Sequence, residues 1–306
     1  MVIAGIVLFL LFFFFVLPSV LFFIVLFRHQ MEKTAASSNL HGTYYAPWAD
    51  EMIAAEEKLN TDPNRQRVTM KARDGAALQG DLFANGQERL IIMFHGYMTA
   101  PTKNFAVTAE RFMKAGYDVM MIHQRAHGPS GGKHTALGLL ERYDTLDWAA
   151  FCANELGYER IVLYGVSMGA ASIAFASGEI RQKEVKALIM DCGFASPMAQ
   201  LKVQASRWHI PDFMILPLLQ PLVKAFMRVD LCDSSIPSME KATLPAVFLH
   251  GMRDSTVRPS QGKENFEHYG AEKIFIPVEE AEHTLSMIAG GEPIFEQVRA
   301  FLERFV

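Results

Sequence analysis

The feature that most constrains the fold of this 306-residue chain is an apolar run that leads into a Gly-x-Ser-x-Gly motif. The run covers residues 161–164, and Gly165, Ser167 and Gly169 form the motif, with alanine-rich sequence after it. A strand, a sharp turn and a close-packed helix are the parts of a nucleophile elbow, which lifts a serine hydroxyl clear of a sheet. The glycines are needed because a Cβ there would collide with the neighbouring strand or helix. The segment predicts Ser167 as a candidate nucleophile, with an ordinary Gly/Ser turn as the alternative.

The N-terminal residues 1–27 carry no charged side chain and are rich in Leu and Phe. At 1.5 Å per residue, a helix of this length exceeds the roughly 30 Å hydrocarbon core of a bilayer. No basic segment precedes the run and no small-residue cleavage site directly follows it, which disfavours a cleaved signal peptide. We therefore expect a transmembrane anchor over 1–27, kinked at Pro18. Arg28 and Lys33 follow the span, so the positive-inside rule predicts a single-pass protein of the cell membrane with its remaining domain in the cytoplasm.

The rest of the chain is long enough for one large domain. The formal net charge of -4 argues against nucleic acid as a partner. Cys152, Cys192 and Cys232 are far apart and form no Cys-x-x-Cys motif, so neither a disulfide framework nor a zinc site is expected.

The order of predicted elements indicates an α/β fold after a juxtamembrane connector over 28–64, which has helical potential at 49–59. Strands are predicted at 66–71, 77–83, 90–94, 118–122, 161–164, 187–190, 246–249 and 273–276, and helices at 106–114, 137–154, 168–177, 260–268 and 294–305. An antiparallel hairpin followed by strand–helix alternation predicts a mostly parallel sheet with helices on both faces over 65–306. The alternation stops at about 194–241, which is rich in Pro, Leu and Met. We interpret this stretch as a helical lid or as a peripheral packing element.

Candidate partners for Ser167 follow the last two predicted strands, because side chains at the carboxyl ends of parallel strands meet at one edge of a sheet. Asp254 comes shortly after 246–249, and His283 comes shortly after 273–276. The order Ser, Asp, His is the one found in α/β hydrolases. His283 would act as the base and Asp254 would orient its imidazole. Asp191, which also ends a strand, is the alternative acid.

Two backbone N–H groups are expected to form an oxyanion hole. One belongs to Met168, directly after the nucleophile, and the other to the loop after the third strand, where Tyr97 is preferred over Met98. His123 and His127 have the spacing of a metal-binding pair, but no third ligand follows at an obvious spacing. We therefore expect no metal site there.

A set of motifs makes the chain from about residue 66 onward resemble one branch of the α/β-hydrolase superfamily. These motifs are Arg73-Asp74-Gly75, His95-Gly96-Tyr97, the run 124–132, the run 140–144, Gly165-Val166-Ser167-Met168-Gly169, Asp191-Cys192, His250-Gly251 with Asp254, and Glu282-His283. The branch is the membrane-anchored, serine-aminopeptidase-like one that includes the Bem46-like hydrolases. The resemblance implies an eight-stranded sheet, a lid before the acid-bearing strand, hydrolysis without a cofactor, and Ser167, Asp254 and His283 as a catalytic triad.

Two positions depart from the pattern of that branch. His123 stands where an Asp is usual, and Ala126 replaces a glycine. These positions are thought to be structural in the branch, so we expect altered loop contacts rather than lost activity.

The combined prediction is a membrane-anchored serine hydrolase that cleaves carboxylic esters through an acyl-enzyme. An apolar lid and a bilayer anchor favour a small-molecule ester with an acyl chain, such as an acylglycerol or a lysolipid. A peptidase or amidase with the same triad is the first alternative, and the chain has no obvious acidic pair to hold a peptide amino terminus. A non-catalytic scaffold at the membrane is the second alternative.

Overall fold

The computed structural model describes residues 2–17, 20, 23, 26, 33–207, 209 and 211–306. Its strands are β1 (Arg65–Lys71), β2 (Ala77–Phe83), β3 (Arg89–Phe94), β4 (Tyr117–His123), β5 (Arg160–Val166), β6 (Val185–Asp191), β7 (Ala246–Gly251) and β8 (Lys273–Val278). They form one sheet in the order β1-β2-β4-β3-β5-β6-β7-β8. The pairs β1–β2 and β2–β4 are antiparallel and the other neighbours are parallel. The predicted eight-stranded, mostly parallel sheet is confirmed.

The helices follow the alternation that the sequence predicts. They are α1 (Val2–Leu11), α2 (Ala49–Asn60), α3 (Pro101–Lys114), α4 (Glu141–Asn154), α5 (Met168–Ala176), α6 (Pro197–Arg207), α7 (Asp212–Met227), α8 (Ile236–Met239), α9 (Pro259–His268), α10 (Ser286–Ala289) and α11 (Gly291–Leu302). A π-helical turn, Phe12–Val16, continues α1, and two short 3-10 turns lie at Leu40–Gly42 and Ala46–Trp48.

The central strands are apolar along almost their whole length because helices cover both faces of the sheet. In β3, Ile91 belongs to a core cluster that includes Phe105 of α3. The next residue, Ile92, points the other way and joins a cluster that includes Trp148 of α4. Alternate residues of one strand therefore supply two separate hydrophobic cores.

The parallel strands end level with one another, which places the loops after them at one edge of the sheet. Phe94 at the end of β3 lies opposite Ile122 of β4 on one side and Gly165 of β5 on the other. The elbow and the loop after β3 are therefore neighbours. Loops at this edge are where ligands bind in such sheets.

The segment predicted as a lid lies between β6 and β7 and contains α6, α7 and α8. Leu201 of α6 and Leu219 and Val223 of α7 share a third apolar cluster with Met168 of the elbow. The inserted helices therefore share an apolar cluster with the elbow helix, an arrangement that fits both a lid and a peripheral packing element.

The membrane-spanning helix predicted over 1–27 is not supported by the structure. Within the part of the chain described above, no helix combines the length and the hydropathy that crossing a membrane requires. The kink predicted at Pro18 and the flanking charge at Arg28 fall outside the described residues.

The described part of the predicted connector packs against the domain that follows it. Leu40 and Met52 are buried in the same core as the central strands. The backbone N–H of Ala36 donates to the Glu56 carboxylate at 2.9 Å. The hydroxyls of Tyr45 and Thr284 are hydrogen-bonded to each other at 2.9 Å. This segment therefore reaches the loop that carries His283.

Candidate active site

The elbow has the backbone geometry that its sequence predicts. β5 ends at Val166, Ser167 has φ +56° and ψ −114°, and α5 begins at the next residue. A Cβ on Gly169 would lie 1.9 Å from the carbonyl oxygen of Phe94, and a Cβ on Gly165 would lie 2.4 Å from the backbone of Gly169. Both positions therefore require glycine. The backbone angles of Ser167 are strained for a non-glycine residue. Strain of this kind costs about 1–3 kcal/mol and is typical of functional sites.

The structure brings Ser167, His283 and Asp254 into one hydrogen-bonded chain. Nε2 of His283 lies 3.0 Å from Oγ of Ser167, and Nδ1 lies 2.7 Å from Oδ2 of Asp254. Because an ionised carboxylate only accepts, Nδ1 carries the proton and Nε2 is the acceptor for the serine hydroxyl. All three side chains are buried. In this tautomer the imidazole can take a proton from Ser167.

The Asp254 carboxylate is held in place by its own loop. Its Oδ1 accepts the backbone N–H groups of Thr256 and Val257, each at 2.8 Å. Its Oδ2 is thereby left directed at His283. This arrangement orients a carboxylate by backbone donors, which do not depend on side-chain rotamers.

Asp191, the alternative acid, is engaged elsewhere. Its Oδ1 accepts the hydroxyl of Ser286 at 2.6 Å, and the hydroxyl of Tyr164 lies 3.4 Å from its Oδ2. Burial raises the pKa of Asp191 to about 6. The carboxylate that accepts the hydrogen bond from the imidazole is thus Asp254, and Asp191 belongs to the buried residues behind it.

The loop after β3 approaches the serine closely. The N–H of Gly96 donates to Oδ1 of Asn104 at 2.9 Å, and a Cβ on Gly96 would lie 3.4 Å from Cβ of Ser167. The N–H of Met98 donates to Nε2 of His127 at 3.0 Å. Since the Met98 N–H is already used, Tyr97 and Met168 stay the predicted oxyanion donors.

A buried pair of histidines that sequence reasoning did not assign to the site supports this loop. His127 donates from Nδ1 to the carbonyl of Arg125 at 2.8 Å, which leaves its Nε2 to accept from Met98. His95 bonds the carbonyl of Gly96 through Nδ1 at 2.6 Å and accepts the N–H of Gln124 at Nε2. Burial lowers the pKa of His95 well below its usual range. For His95, the available sequence signal was its position directly after β3.

The two departures from the family pattern have local structural roles. His123 bonds Asp81 at 3.0 Å, and Asp81 also accepts from Arg65 at 2.9 Å. Ala126 has φ +60°, a left-handed conformation that glycine adopts without cost and that costs an L-residue roughly 1–2 kcal/mol. His123 and His127 therefore bond different partners rather than a shared ion.

One buried ion pair fixes the loop that carries these residues. Arg125 donates to both oxygens of Asp144 on α4, each at 2.6 Å. Its remaining guanidinium nitrogen donates to Asp74 in the turn between β1 and β2 at 3.0 Å. The sheet edge, the loop after β4 and α4 are thus joined through one side chain.

Within the described ranges, Cys192, Asp254 and His283 are the one group whose atoms could hold a metal, all within 4.8 Å. Two of these side chains are already hydrogen-bonded to each other. Burial raises the pKa of the Cys192 thiol well above its usual range, which disfavours the thiolate that a metal needs. The group therefore fits proton transfer better than metal binding.

A cavity of about 370 Å³ opens above Ser167. Its wall is mainly apolar and includes Leu26, Tyr45, Leu137, Phe194 and Leu201. The residues come from the N-terminal segment, the loops at the sheet edge and α6 of the insertion between β6 and β7. The site is thus a nucleophile with its base at the bottom of a largely apolar pocket.

The fold and the site together have the arrangement of a serine hydrolase with an α/β-hydrolase fold. Residues 86–229 match the family model Hydrolase_4, described as serine aminopeptidase, S33. This match and the solved structures below support the superfamily that the motifs indicate.

Curated relatives match the sequence at low identity, and solved structures share the fold. The uncharacterized protein YqkD of Bacillus subtilis is 25% identical over 216 residues, which cover 70% of this chain and 70% of YqkD. The alpha/beta hydrolase domain-containing protein WAV2 of Arabidopsis thaliana is 25% identical over 195 residues, 61% of each chain. The esterase Pf2001 of Pyrococcus furiosus has a TM-score of 0.64 at 22% identity, with 81% of this chain and 92% of that one covered.

Proposed function

We propose that this protein hydrolyses carboxylic esters through an acyl-enzyme formed on Ser167. The observation that carries the proposal is the hydrogen-bonded chain from Ser167 through His283 to Asp254 at the bottom of an apolar cavity. His283 takes the proton of Ser167 as its oxygen attacks the ester carbonyl, and Asp254 stabilises the imidazolium that results. The N–H groups of Tyr97 and Met168 stabilise the oxyanion.

In the steps that follow, His283 first gives up the proton that it took from Ser167. The imidazolium of His283 protonates the departing alcohol, which leaves the acyl group on Ser167. Water then enters, loses a proton to Nε2 of His283 and attacks the acyl-enzyme. Collapse of the second oxyanion releases the acid and returns the proton to Ser167.

The composition of the cavity favours an ester with an acyl chain over a peptide. Its described lining contains no Asp or Glu, so nothing there pairs with the ammonium group of a peptide amino terminus. Phe194 and Leu201 instead offer apolar contacts. The Pyrococcus furiosus structure with the same fold is named an esterase. An acylglycerol or a lysolipid would fit this chemistry.

Ester chain length tests this proposal. Across p-nitrophenyl esters from acetate to decanoate, kcat/KM should rise by up to about fourfold per methylene until the cavity is filled, because each buried CH₂ contributes about 0.8 kcal/mol. Ser167→Ala is the matched control and should be inactive with every ester. A kcat/KM that is flat or falls from acetate to hexanoate would contradict an acyl-chain substrate.

The peptidase or amidase is the second candidate, since the matching family model is described as a serine aminopeptidase. Amino-acid p-nitroanilides assayed beside the ester series separate the two. The ester proposal predicts hydrolysis across the ester series and no measurable hydrolysis of the anilides. Equal or higher values on an anilide would make the peptidase the better description.

We further propose that the protein is membrane-anchored, as in the branch that its motifs resemble, with the catalytic domain in the cytoplasm. Residues 1–27 are uncharged, and the described side chains of α1 are exposed and mostly apolar. Arg28 and Lys33 follow this run. The lipid bilayer would then be a partner of the N-terminal segment.

The native cysteines allow this topology to be tested without an added cysteine, because Cys232 is exposed while Cys152 and Cys192 are buried. The protein should stay in the membrane pellet after alkaline carbonate extraction. A membrane-impermeant maleimide should label Cys232 only after the cells are lysed, with Cys232→Ser as the control. Release by carbonate would contradict the anchor, and labelling in intact cells would contradict the orientation.

A further inference from the structure

Lys103 is the one Lys or Arg among the described residues that line the active-site cavity. Its ammonium nitrogen lies 3.1 Å from Oγ of Ser38 and 4.9 Å from the centre of the Tyr45 ring. Neither partner is charged. The described part of the cavity wall therefore holds a cation without a carboxylate beside it.

Among the described residues, no carboxylate forms an ion pair with the ammonium group of Lys103. Glu56 acts on it electrostatically, but the Glu56 carboxylate accepts the Ala36 N–H at 2.9 Å and the Thr102 hydroxyl. The other charged neighbour is Lys33, which repels it. Burial and this second cation lower the pKa of Lys103. A half-buried ammonium in such surroundings gains more from an anion than one at an open surface would.

The position of Lys103 in its helix points the same way. It lies in the first turn of α3, a 14-residue helix whose N-terminal dipole also favours negative charge. Asn104, the next residue, holds the N–H of Gly96 in the loop of the predicted oxyanion hole. A group bound at Lys103 would therefore lie on the same wall of the cavity as the oxyanion loop.

We propose that Lys103 forms an anion subsite, so that the preferred ester carries a carboxylate or a phosphate beside its acyl ester bond. This inference rests on the proposed ester hydrolysis and narrows its substrate class. The anionic oxygens would accept hydrogen bonds from the ammonium group, and the apolar wall would hold the chain. Neutral esters would still be hydrolysed, but less well.

Two matched pairs of substrates test the subsite on either half of the ester. Mono-p-nitrophenyl glutarate and p-nitrophenyl pentanoate differ in a carboxylate on the acyl half. A lysophosphatidate and the monoacylglycerol of the same chain differ in a phosphate on the alcohol half. In each pair, the ratio of kcat/KM for the anionic ester to kcat/KM for the neutral ester measures anion recognition.

The variants are Lys103→Met, Lys103→Arg and, as a matched control, Lys114→Met at the exposed opposite end of α3. In at least one pair, Lys103→Met should lower the ratio by about 10- to 100-fold, the usual range for a hydrogen bond to a charged group. Lys103→Arg should keep most of it, and Lys114→Met should leave it unchanged. Lys114→Met should also leave the activity on the neutral esters unchanged.

The possible failures can be told apart. An unchanged ratio in both pairs, with neutral esters still hydrolysed, would overturn the subsite and leave the ester hydrolase standing. Wild-type protein that hydrolyses none of the four esters would instead overturn the proposed function. A folding defect would lower activity on both members of a pair without altering their ratio.

Discussion

At the scale of single residues, the site depends on which carboxylate reaches His283. Asp254 does so because two backbone N–H groups of its own loop hold one oxygen and leave the other directed at Nδ1. Asp191 is equally buried but is satisfied by Ser286. We therefore infer that orientation by neighbouring donors separates the two roles.

This difference predicts that replacing Asp by Asn lowers kcat much more at position 254 than at position 191. Asp254→Asn should lower kcat by about 10³- to 10⁴-fold, because an amide favours the wrong tautomer of the imidazole. Asp191→Asn should keep kcat within about tenfold, since its amide oxygen can still accept from Ser286. Steady-state kinetics on one ester measures both. The reverse order of effects would identify Asp191 as the acid.

The raised pKa of Asp191 also predicts a pH dependence of stability that wild-type protein has and Asp191→Asn lacks. Its pKa is about 6 in the folded chain and near 4 in an unfolded chain, so the folded state binds more protons between these values. The free energy of unfolding should therefore fall as pH rises from about 4 to 6, by about 2–3 kcal/mol from this group. Asp191→Asn should remove that part of the slope in urea titrations, and an unchanged slope would contradict it.

Ser167 and its two glycines could be predicted from sequence because their requirements are local. A strained turn between strand and helix leaves room for glycine alone at 165 and 169, and the structure shows the collisions that any Cβ would make. Asp254 and His283 could be predicted because each comes shortly after a predicted strand, and strands can be predicted from short stretches of sequence. Lys103 and Tyr45 could not be predicted as cavity residues, because nothing in their own segments signals that α3 and the N-terminal segment face the serine.

At the scale of elements, strands were easier to predict than helix boundaries. Central strands such as β4 are buried on both faces, so most of their length, here residues 119–122, is an apolar run in the sequence. The helix predicted from 137 begins only at Glu141, because Leu137 and Gly138 have positive φ. The Glu141 carboxylate accepts the N–H groups of Ala136 and Gly138 at 2.9 and 2.8 Å, a contact that hydrophobic periodicity does not reveal.

The predicted connector is a second case in which hydrophobic periodicity does not reveal the tertiary contacts of a segment. The sequence between Lys33 and Trp48 has no strand or helix periodicity, yet Leu40 is fully buried and Tyr45 lines the cavity. Tyr45 also bonds Thr284, next to the predicted base. An irregular segment can complete a site through tertiary contacts alone, which a periodic pattern does not predict.

At the scale of the whole molecule, the cavity is assembled from parts that are far apart in the chain. Leu26 and Tyr45 come from the N-terminal region, Lys103 from α3, Ser167 from the elbow and Leu201 from α6. The N-terminal segment also contacts α7, since the rings of Phe23 and Phe226 lie 5.4 Å apart. We infer that the segment proposed to anchor the protein also shapes its substrate pocket.

The most direct test of the central claim is active-site labelling with a fluorophosphonate probe. The probe phosphonylates a serine only when a base activates its hydroxyl. We expect folded wild-type protein to be labelled on Ser167, as located by peptide mass, and Ser167→Ala to show no labelling. Folded wild-type protein that is not labelled, or label found on another residue, would contradict the account of Ser167 as an activated nucleophile.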